Sequence, residues 1–126
     1  NTYENGEINA LDYERLIKFN DFSQEIRALI RFRLSDRGLF TRPSRNEDCI
    51  YANINCGSNY ILSFTVRHKN HGEEFLFLCN PSTNTTGVSL PSPWTETQAI
   101  LPTNPEVQDK EKLLPWEYRL LVRKLK

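Results

Sequence analysis

The two histidines, His68 and His71, are the residues of this chain best suited to acid–base chemistry or metal binding. They stand three positions apart in a loop of lysine, asparagine and glycine, close to Glu73 and Glu74. A metal needs about four converging ligands, and a catalytic histidine needs a nucleophile within hydrogen-bonding distance. The sequence has no Gly-x-Ser-x-Gly motif and no cysteine spaced to pair with them. We therefore interpret both histidines as exposed hairpin residues, with a small enzyme built on them as an alternative.

The three cysteines lack the spacing of a zinc site. Cys49 and Cys56 flank a predicted strand, whose extended length of roughly 20 Å exceeds the reach of a disulfide. Cys79 ends the apolar run 75–79 and is typical of a buried hydrophobic residue. We expect three free thiols, no bound metal and no cofactor.

Composition limits the partners that this chain can have. Its 126 residues carry 16 basic and 16 acidic side chains, so the net charge at pH 7 is zero. Nucleic-acid binding needs a basic surface, and a membrane span needs about 18 consecutive apolar residues. The carboxylates are scattered, without a facing pair of the kind that glycoside hydrolysis uses. We expect no nucleic acid, no membrane span and no complete active site.

Two hydrophobic periods divide the chain. In 22–33 an apolar stripe recurs at helical spacing, which predicts a helix that ends before a left-handed Gly38. The stripe consists of Phe22, Ile26, Leu29 and Ile30. Beyond residue 50 the period changes to two. The predicted strands are 50–55, 60–66, 74–79, 88–90, 94–100 and 116–125, with a surface loop over 101–115.

This pattern predicts a mainly β fold, an antiparallel β-sandwich preceded by an N-terminal α-helical segment. The predicted regions are 1–34 (helical), 35–45 (linker) and 46–126 (sandwich). Trp94 and Trp116 each follow a proline and begin a strand. We interpret both as core residues, with sugar stacking on an exposed ring as the alternative. The triplet Asn84-Thr-Thr86 matches a glycosylation acceptor, which we interpret as a chance occurrence in a polar loop.

Several segments resemble one enzyme family. The sequence EINALDYER at 7–15 resembles the Asn-x-Leu-Asp-[Trp/Tyr]-x-Arg segment of pullulanases and related debranching enzymes of the α-amylase superfamily. The preceding NTY at 1–3 is similar to their Asn-Ser-Tyr, and LIRFR at 29–33 is similar to the Leu-Ile-x-Leu-Arg of their last barrel helix. FLFLCN at 75–80 and VSLPSPW at 88–94 are similar to their C-terminal β-sandwich. Tyr13 and Phe32 depart from the usual Trp and Leu.

The resemblance implies that residues 1–34 are the final βα loop and helix of a catalytic (β/α)8 barrel. Residues 46–126 would be the C-terminal domain of that enzyme. The family's catalytic carboxylates lie on earlier barrel strands, so this chain itself would have no catalytic residue and no hydrolase activity. Its parent would be a bacterial pullulanase or amylopullulanase that cleaves α-1,6 branches of starch. Asn9 and Asp12 would line the glucan cleft, or else form a turn and cap a helix.

The expected partner is the (β/α)8 barrel of the same parent chain, with α-glucan bound weakly or not at all. The absence of methionine and the polar, Asn-rich opening are typical of the interior of a longer protein. In isolation, we expect the helix to fold onto the sandwich or to mediate self-association through its apolar stripe. The alternative is a free-standing carbohydrate-binding β-sandwich. Free thiols favour the cytoplasm, although secretion remains open.

Overall fold

The computed structural model describes residues 20, 22–102 and 109–125. The helix α1 covers 22–34 and is followed by two short 3-10 helices, Asp36–Thr41 and Asn46–Asp48. The strands are β1 (Cys49–Asn53), β2 (Leu62–His68), β3 (Glu73–Cys79), β4 (Thr86–Gly87), β5 (Ala99–Leu101), β6 (Lys112–Leu113) and β7 (Tyr118–Lys124). The described part of the chain is therefore mainly β with one helix, and this part of the predicted fold class is confirmed.

All strand pairs in the two sheets are antiparallel. The large sheet has the order β1-β2-β3-β7-β5, and β4 pairs with β6 in a separate two-stranded sheet. The last strand, β7, lies between β3 and β5, so it joins parts of the chain that are distant in sequence. Residues Phe75 to Cys79 are apolar on both sides because β3 is the central strand and both of its faces are covered.

The alternating side chains of the large sheet contribute to two separate cores. On the closed face, Leu76, Leu78 and Leu121 pack under Trp94 and under Leu113 of β6. On the other face, Val66, Phe75 and Leu120 pack under side chains of α1 and of the first 3-10 helix. We call this second side the half-covered face, because α1 and the 3-10 helix leave part of it exposed.

A tight corner joins α1 to the first 3-10 helix. The Ser35 hydroxyl donates to the carbonyl oxygen of Phe32 at 2.6 Å and accepts the backbone N–H of Gly38. Gly38 is buried, and a Cβ there would collide with the carbonyl oxygen of Phe32 and stand 2.7 Å from that of Arg33. The predicted left-handed conformation of Gly38 is wrong, since in the described residues a glycine with positive φ is found only at Gly57. Glycine is needed at 38 for close packing instead.

The 3-10 helix after this corner lies within the predicted linker and is firmly packed. The Phe40 ring lies 4.6 Å from that of Phe75, between centroids, and Arg37 donates two hydrogen bonds to the carboxylate of Glu73. Through Phe40, this 3-10 helix thus contributes to the core of the half-covered face. The boundaries 1–34, 35–45 and 46–126 themselves stay a prediction.

Two predicted strands are wrong in position. Residues 88–90 follow β4 instead of forming a strand, although Val88 still donates its N–H to the Glu111 carbonyl. Residues 94–97 form turns closed by N–H bonds from Trp94 to Pro91 and from Thr97 to Trp94, so the strand is confined to β5. The predicted loop 101–115 contains the short strand β6. A short alternation of apolar and polar residues next to proline is too weak a pattern to place these strands.

In the described part of the chain, α1 is too short and too polar to span a membrane.

Candidate docking face and the predicted site residues

The two histidines are not exposed hairpin residues, as the sequence suggested. His68 ends β2 with a buried side chain, and His71 is half-buried. The Nδ1 atom of each ring accepts a backbone N–H from two residues further on, from Asn70 at 3.1 Å and from Glu73 at 3.2 Å. These bonds shape the β2–β3 hairpin and leave only the Nε2 atoms for other chemistry. Among the described residues, no three metal-ligating side chains come together.

The cysteines are free thiols in three different surroundings. Cys49 is buried in the core of the half-covered face and Cys56 in the core of the closed face. Cys79 is only partly buried, so the prediction of a fully buried residue there is wrong. The Cys49 thiol donates to the carbonyl oxygen of Phe40 at 3.3 Å, while burial raises the pKa of the Cys56 thiol. A buried thiol with a raised pKa is a poor nucleophile.

The two tryptophans have opposite environments. Trp94 is 1% exposed and fills the closed-face core, with the guanidinium of Arg123 5.4 Å above its ring. A sugar ring has no access to it, so the structure retains only the core interpretation for this residue. Trp116 is 66% exposed, which is contrary to a core role. Of the two predicted stacking residues, only Trp116 offers an open ring.

Trp116 lies in a turn that holds it in an unusual backbone conformation. Glu117 donates its N–H to the Leu114 carbonyl, and Trp116 has a φ of 61°. Proline at the second position and a positive φ at the third are the features of a type II turn, where the third residue is usually glycine or asparagine. A bulky residue with positive φ is an outlier that the surrounding structure must stabilise.

Asn80 supplies that stabilisation. Its side chain is completely buried and its Nδ2 donates to the carbonyl oxygens of Asn84, Leu113 and Leu114 at 2.8–3.2 Å. Its backbone carbonyl accepts the N–H of Trp116 at 2.8 Å. Sequence reasoning noted Asn80 only as part of a resemblance. An asparagine directly after an apolar strand and before a proline was the available signal for a buried corner residue.

The exposed part of the half-covered face is aromatic. Tyr51, Phe64, Phe77 and Tyr118 stand on β1, β2, β3 and β7 in consecutive contact, with ring centroids 6.4, 5.4 and 6.4 Å apart. We call these four residues the aromatic row. Tyr51 is exposed and the other three rings are half-buried. A large, partly exposed apolar surface of this kind is typical of an interface.

The helix bounds one end of the aromatic row. The Tyr118 hydroxyl donates to Oε1 of Glu25 at 2.8 Å, and Leu29 and Phe32 of the helix pack on the core below. Burial first, and this hydrogen bond second, raise the pKa of Tyr118. Its phenol therefore stays neutral and continues to donate well above its ordinary titration range.

The helix presents a second apolar side to the outside. Phe22, Ile26, Ile30 and Leu34 repeat at every fourth position and are 61%, 38%, 52% and 69% exposed; we call them the helix stripe. The predicted stripe grouped Leu29 with Phe22, Ile26 and Ile30, but in the structure Leu29 packs toward the sheet. At about 100° per residue, Phe32 and Ile30 point in clearly different directions. A helix that is apolar on two sides is typical of an element lying between two layers.

The predicted cleft residues Asn9 and Asp12 lie outside the described residues. Comparison of the chain with protein-family models, curated proteins and solved structures finds no match. The resemblance to debranching enzymes therefore stays a prediction, and the functional argument depends on the geometry of the half-covered face.

Proposed function

We propose that this chain is the non-catalytic C-terminal accessory domain of a pullulanase-type glycoside hydrolase that acts on α-1,6 branches of α-glucans. Its helix α1 would be the last helix of the enzyme's (β/α)8 barrel. The domain would cover and stabilise that barrel and would contribute no catalytic group. The observation that carries this proposal is the helix with two apolar sides, one packed on the sheet and one exposed.

The arrangement of the surface supports a large partner domain. The Tyr118 hydroxyl at one end of the aromatic row bonds Glu25, so the helix that carries the exposed stripe borders the row. In a (β/α)8 barrel the outer helices pack with one side on the barrel strands, which would cover the helix stripe. Burying the exposed part of each stripe residue would contribute about 1 kcal/mol.

The coding sequence upstream of Asn1 provides the sharpest test. A barrel of several hundred residues, with carboxylates at the ends of its strands, would support the proposal. If another kind of domain precedes this segment, or none does, the proposal is wrong. Activity of the chain alone on pullulan would also contradict it.

The surface itself is tested with the double variant Phe22→Ser and Ile26→Ser. Both side chains are exposed, so the isolated chain should keep its thermal stability within a few degrees. Self-association, measured by sedimentation velocity at increasing concentration, should fall, because the exposed apolar stripe would be interrupted. The matched control is Arg27→Ser with Arg31→Ser, which changes exposed positions of the same helix outside the stripe. Equal sedimentation of both double variants and of the unchanged chain would count against a docking role for the stripe.

A free-standing carbohydrate-binding β-sandwich is the second candidate, and the exposed ring of Trp116 favours it. That candidate leaves the helix stripe without a role. We therefore place the accessory domain first.

A further inference from the structure

Exposed aromatic and apolar side chains collect at one end of the large sheet. Tyr60 is 76% exposed and lies two residues before β2, while Trp116 is 66% exposed and lies two residues before β7. Leu62 pairs with Cys79, and the next residue, Asn80, accepts the N–H of Trp116. The first residues of β2 and β7, Leu62 and Tyr118, are therefore two strand spacings, or roughly 10 Å, apart, and each aromatic residue lies two positions before its strand.

An open pocket adjoins Tyr60. It has a volume of about 590 Å³, and its lining includes Asn53, Asn55, Ser58, Asn59, Leu62 and Ser63. The lining combines these amide and hydroxyl groups with three apolar side chains, Ile54, Ile61 and Leu62, and has no charged residue. The stretch from Cys49 to Val66 is likewise free of acidic and basic residues. An ionic ligand would find no opposite charge here.

The amide groups of the pocket are available to a ligand. The Asn55 Oδ1 accepts the N–H of Gly57 at 2.8 Å, which leaves the Nδ2 of Asn55 as a donor. Within the described residues, the side chains of Asn53 and Asn59 make no hydrogen bond to other groups of the chain. Each of these two amides has donors and an acceptor for the hydroxyl groups of a neutral ligand.

The charges near Trp116 are already neutralised. Glu117 pairs with Arg119 at 2.9 Å and also accepts the N–H of Leu114. The indole ring therefore stands beside a paired carboxylate and a turn. A flat, exposed aromatic ring held by a rigid turn is suited to stacking, since little side-chain freedom is lost when a ligand binds.

We propose that this end of the sheet is a binding site for a neutral oligosaccharide, which stacks on Trp116 and Tyr60 and hydrogen-bonds the asparagine amides of the adjoining pocket. The apolar C–H face of a sugar ring matches an aromatic face, and its hydroxyls match amide groups. The proposal rests on Trp116, Tyr60 and the asparagine amides, and its test does not require that the half-covered face docks a barrel. It gives the chain a function in placing a glycan, beyond that of stabilising a partner.

The test uses the chain with maltoheptaose, cellohexaose and a sulfated heparin hexasaccharide, titrated by calorimetry and followed by tryptophan fluorescence. Because Trp94 is buried, a ligand-dependent change in emission reports on Trp116. We expect weak binding, with a Kd of about 1 mM or tighter, of at least one neutral glucan. Binding of maltoheptaose alone identifies an α-glucan site, and binding of cellohexaose alone identifies a β-glucan site. Tighter binding of the sulfated sugar would overturn the proposal.

Three variants locate the site. Trp116→Gly removes the ring but suits the positive φ, so the variant should fold and bind at least about tenfold more weakly. Tyr60→Ala should have a similar effect. Tyr51→Ala removes another exposed tyrosine, from the aromatic row, and should leave binding unchanged. Unchanged affinity in Trp116→Gly, an equal loss in Tyr51→Ala, or no binding of either neutral glucan at about 10 mM would each overturn the proposal.

Discussion

The closed face and the half-covered face of the large sheet are built from the same strands but are completed to different degrees. On the closed face, Trp94 and Leu113 are almost fully buried, and so are Leu76, Leu78 and Leu121 below them. On the half-covered face, Tyr51 is exposed and Phe64 and Phe77 are only half-buried, although the two phenylalanines adjoin a well-packed core around Phe75. This chain alone completes the core of the closed face, whereas it leaves the aromatic row of the half-covered face partly exposed.

This difference separates what stabilises the chain from what the chain offers to a partner. Large side chains in the closed face contribute by excluding water and by dense packing, so truncating them should be costly. Exposed residues on the half-covered face gain little from folding, and their substitution should be nearly neutral in the isolated chain. Their value is realised only when a second surface covers them.

The largest effect should come from Trp94→Ala in the closed face. Removing a completely buried tryptophan leaves a cavity and should lower the free energy of unfolding by about 3–5 kcal/mol. Urea denaturation followed by circular dichroism measures this change. The comparison variant is Tyr51→Ala, for which we expect a change below about 0.5 kcal/mol. Similar losses in both variants would show that the two faces do not differ in the way described.

An intermediate effect is expected for Asn80→Ala, at the end of the sheet where the two faces meet. The substitution removes the buried hydrogen bonds from the Asn80 amide to the carbonyl oxygens of Asn84, Leu113 and Leu114, and should cost about 2–3 kcal/mol. Because Asn80 also holds the Trp116 turn, the fluorescence of Trp116 should change in the folded state. Ser82→Ala is the control, since Ser82 bonds the same asparagine from a more exposed position. A cost no larger than that of the control would contradict the role of Asn80.

The smallest effect concerns the bond that ties the helix to the half-covered face. Tyr118→Phe removes the hydrogen bond to Glu25 and should cost about 1 kcal/mol at pH 8. Because the pKa of Tyr118 is raised in the folded state, its neutral phenol contributes stability that is fully present below the unfolded-state pKa of about 10. This contribution is lost as the pH rises above that unfolded-state pKa. The stability of the unchanged chain should therefore fall more steeply above pH 10 than that of the variant.

Thermal unfolding from about pH 8 to pH 11.5 measures this difference. If the stability of Tyr118→Phe and that of the unchanged chain change with pH in parallel, the ionisation of Tyr118 is not linked to the stability of the fold. Hydrogen exchange across 22–34 provides a second readout, because a weaker bond between Tyr118 and Glu25 should speed exchange in the helix.

The sequence predicts the strands that alternate clearly and fails where side-chain contacts decide the structure. The segments 60–66 and 74–79 lie close to the observed β2 and β3, because long apolar alternation needs no knowledge of neighbours. Residues 88–90 were misplaced because the short pairing of β4 with β6 depends on a distant segment. The sequence predicts a left-handed Gly38, whereas glycine is needed there because a Cβ would collide with Phe32. That contact cannot be read from local composition.

The site residues follow the same rule. Trp94 is buried and Trp116 is exposed, but each follows a proline. The local sequence therefore does not distinguish their burial. The aromatic row was not foreseen, because Tyr51, Phe64, Phe77 and Tyr118 lie on four strands and meet only through their register. In contrast, the sequence does predict an apolar stripe on the helix. The division of these apolar residues between two sides of α1 becomes clear only from the position of the sheet.

The central position of β7 has a consequence for biosynthesis. Until residues 118–124 leave the ribosome, β3 and β5 lack their shared neighbour, and both retain an open hydrogen-bonding edge. Translation products that stop before this segment would carry Tyr51, Phe64 and Phe77 of the aromatic row together with unpaired edges. A premature stop codon or frameshift between β5 and β7 should therefore yield an aggregation-prone, rapidly degraded polypeptide.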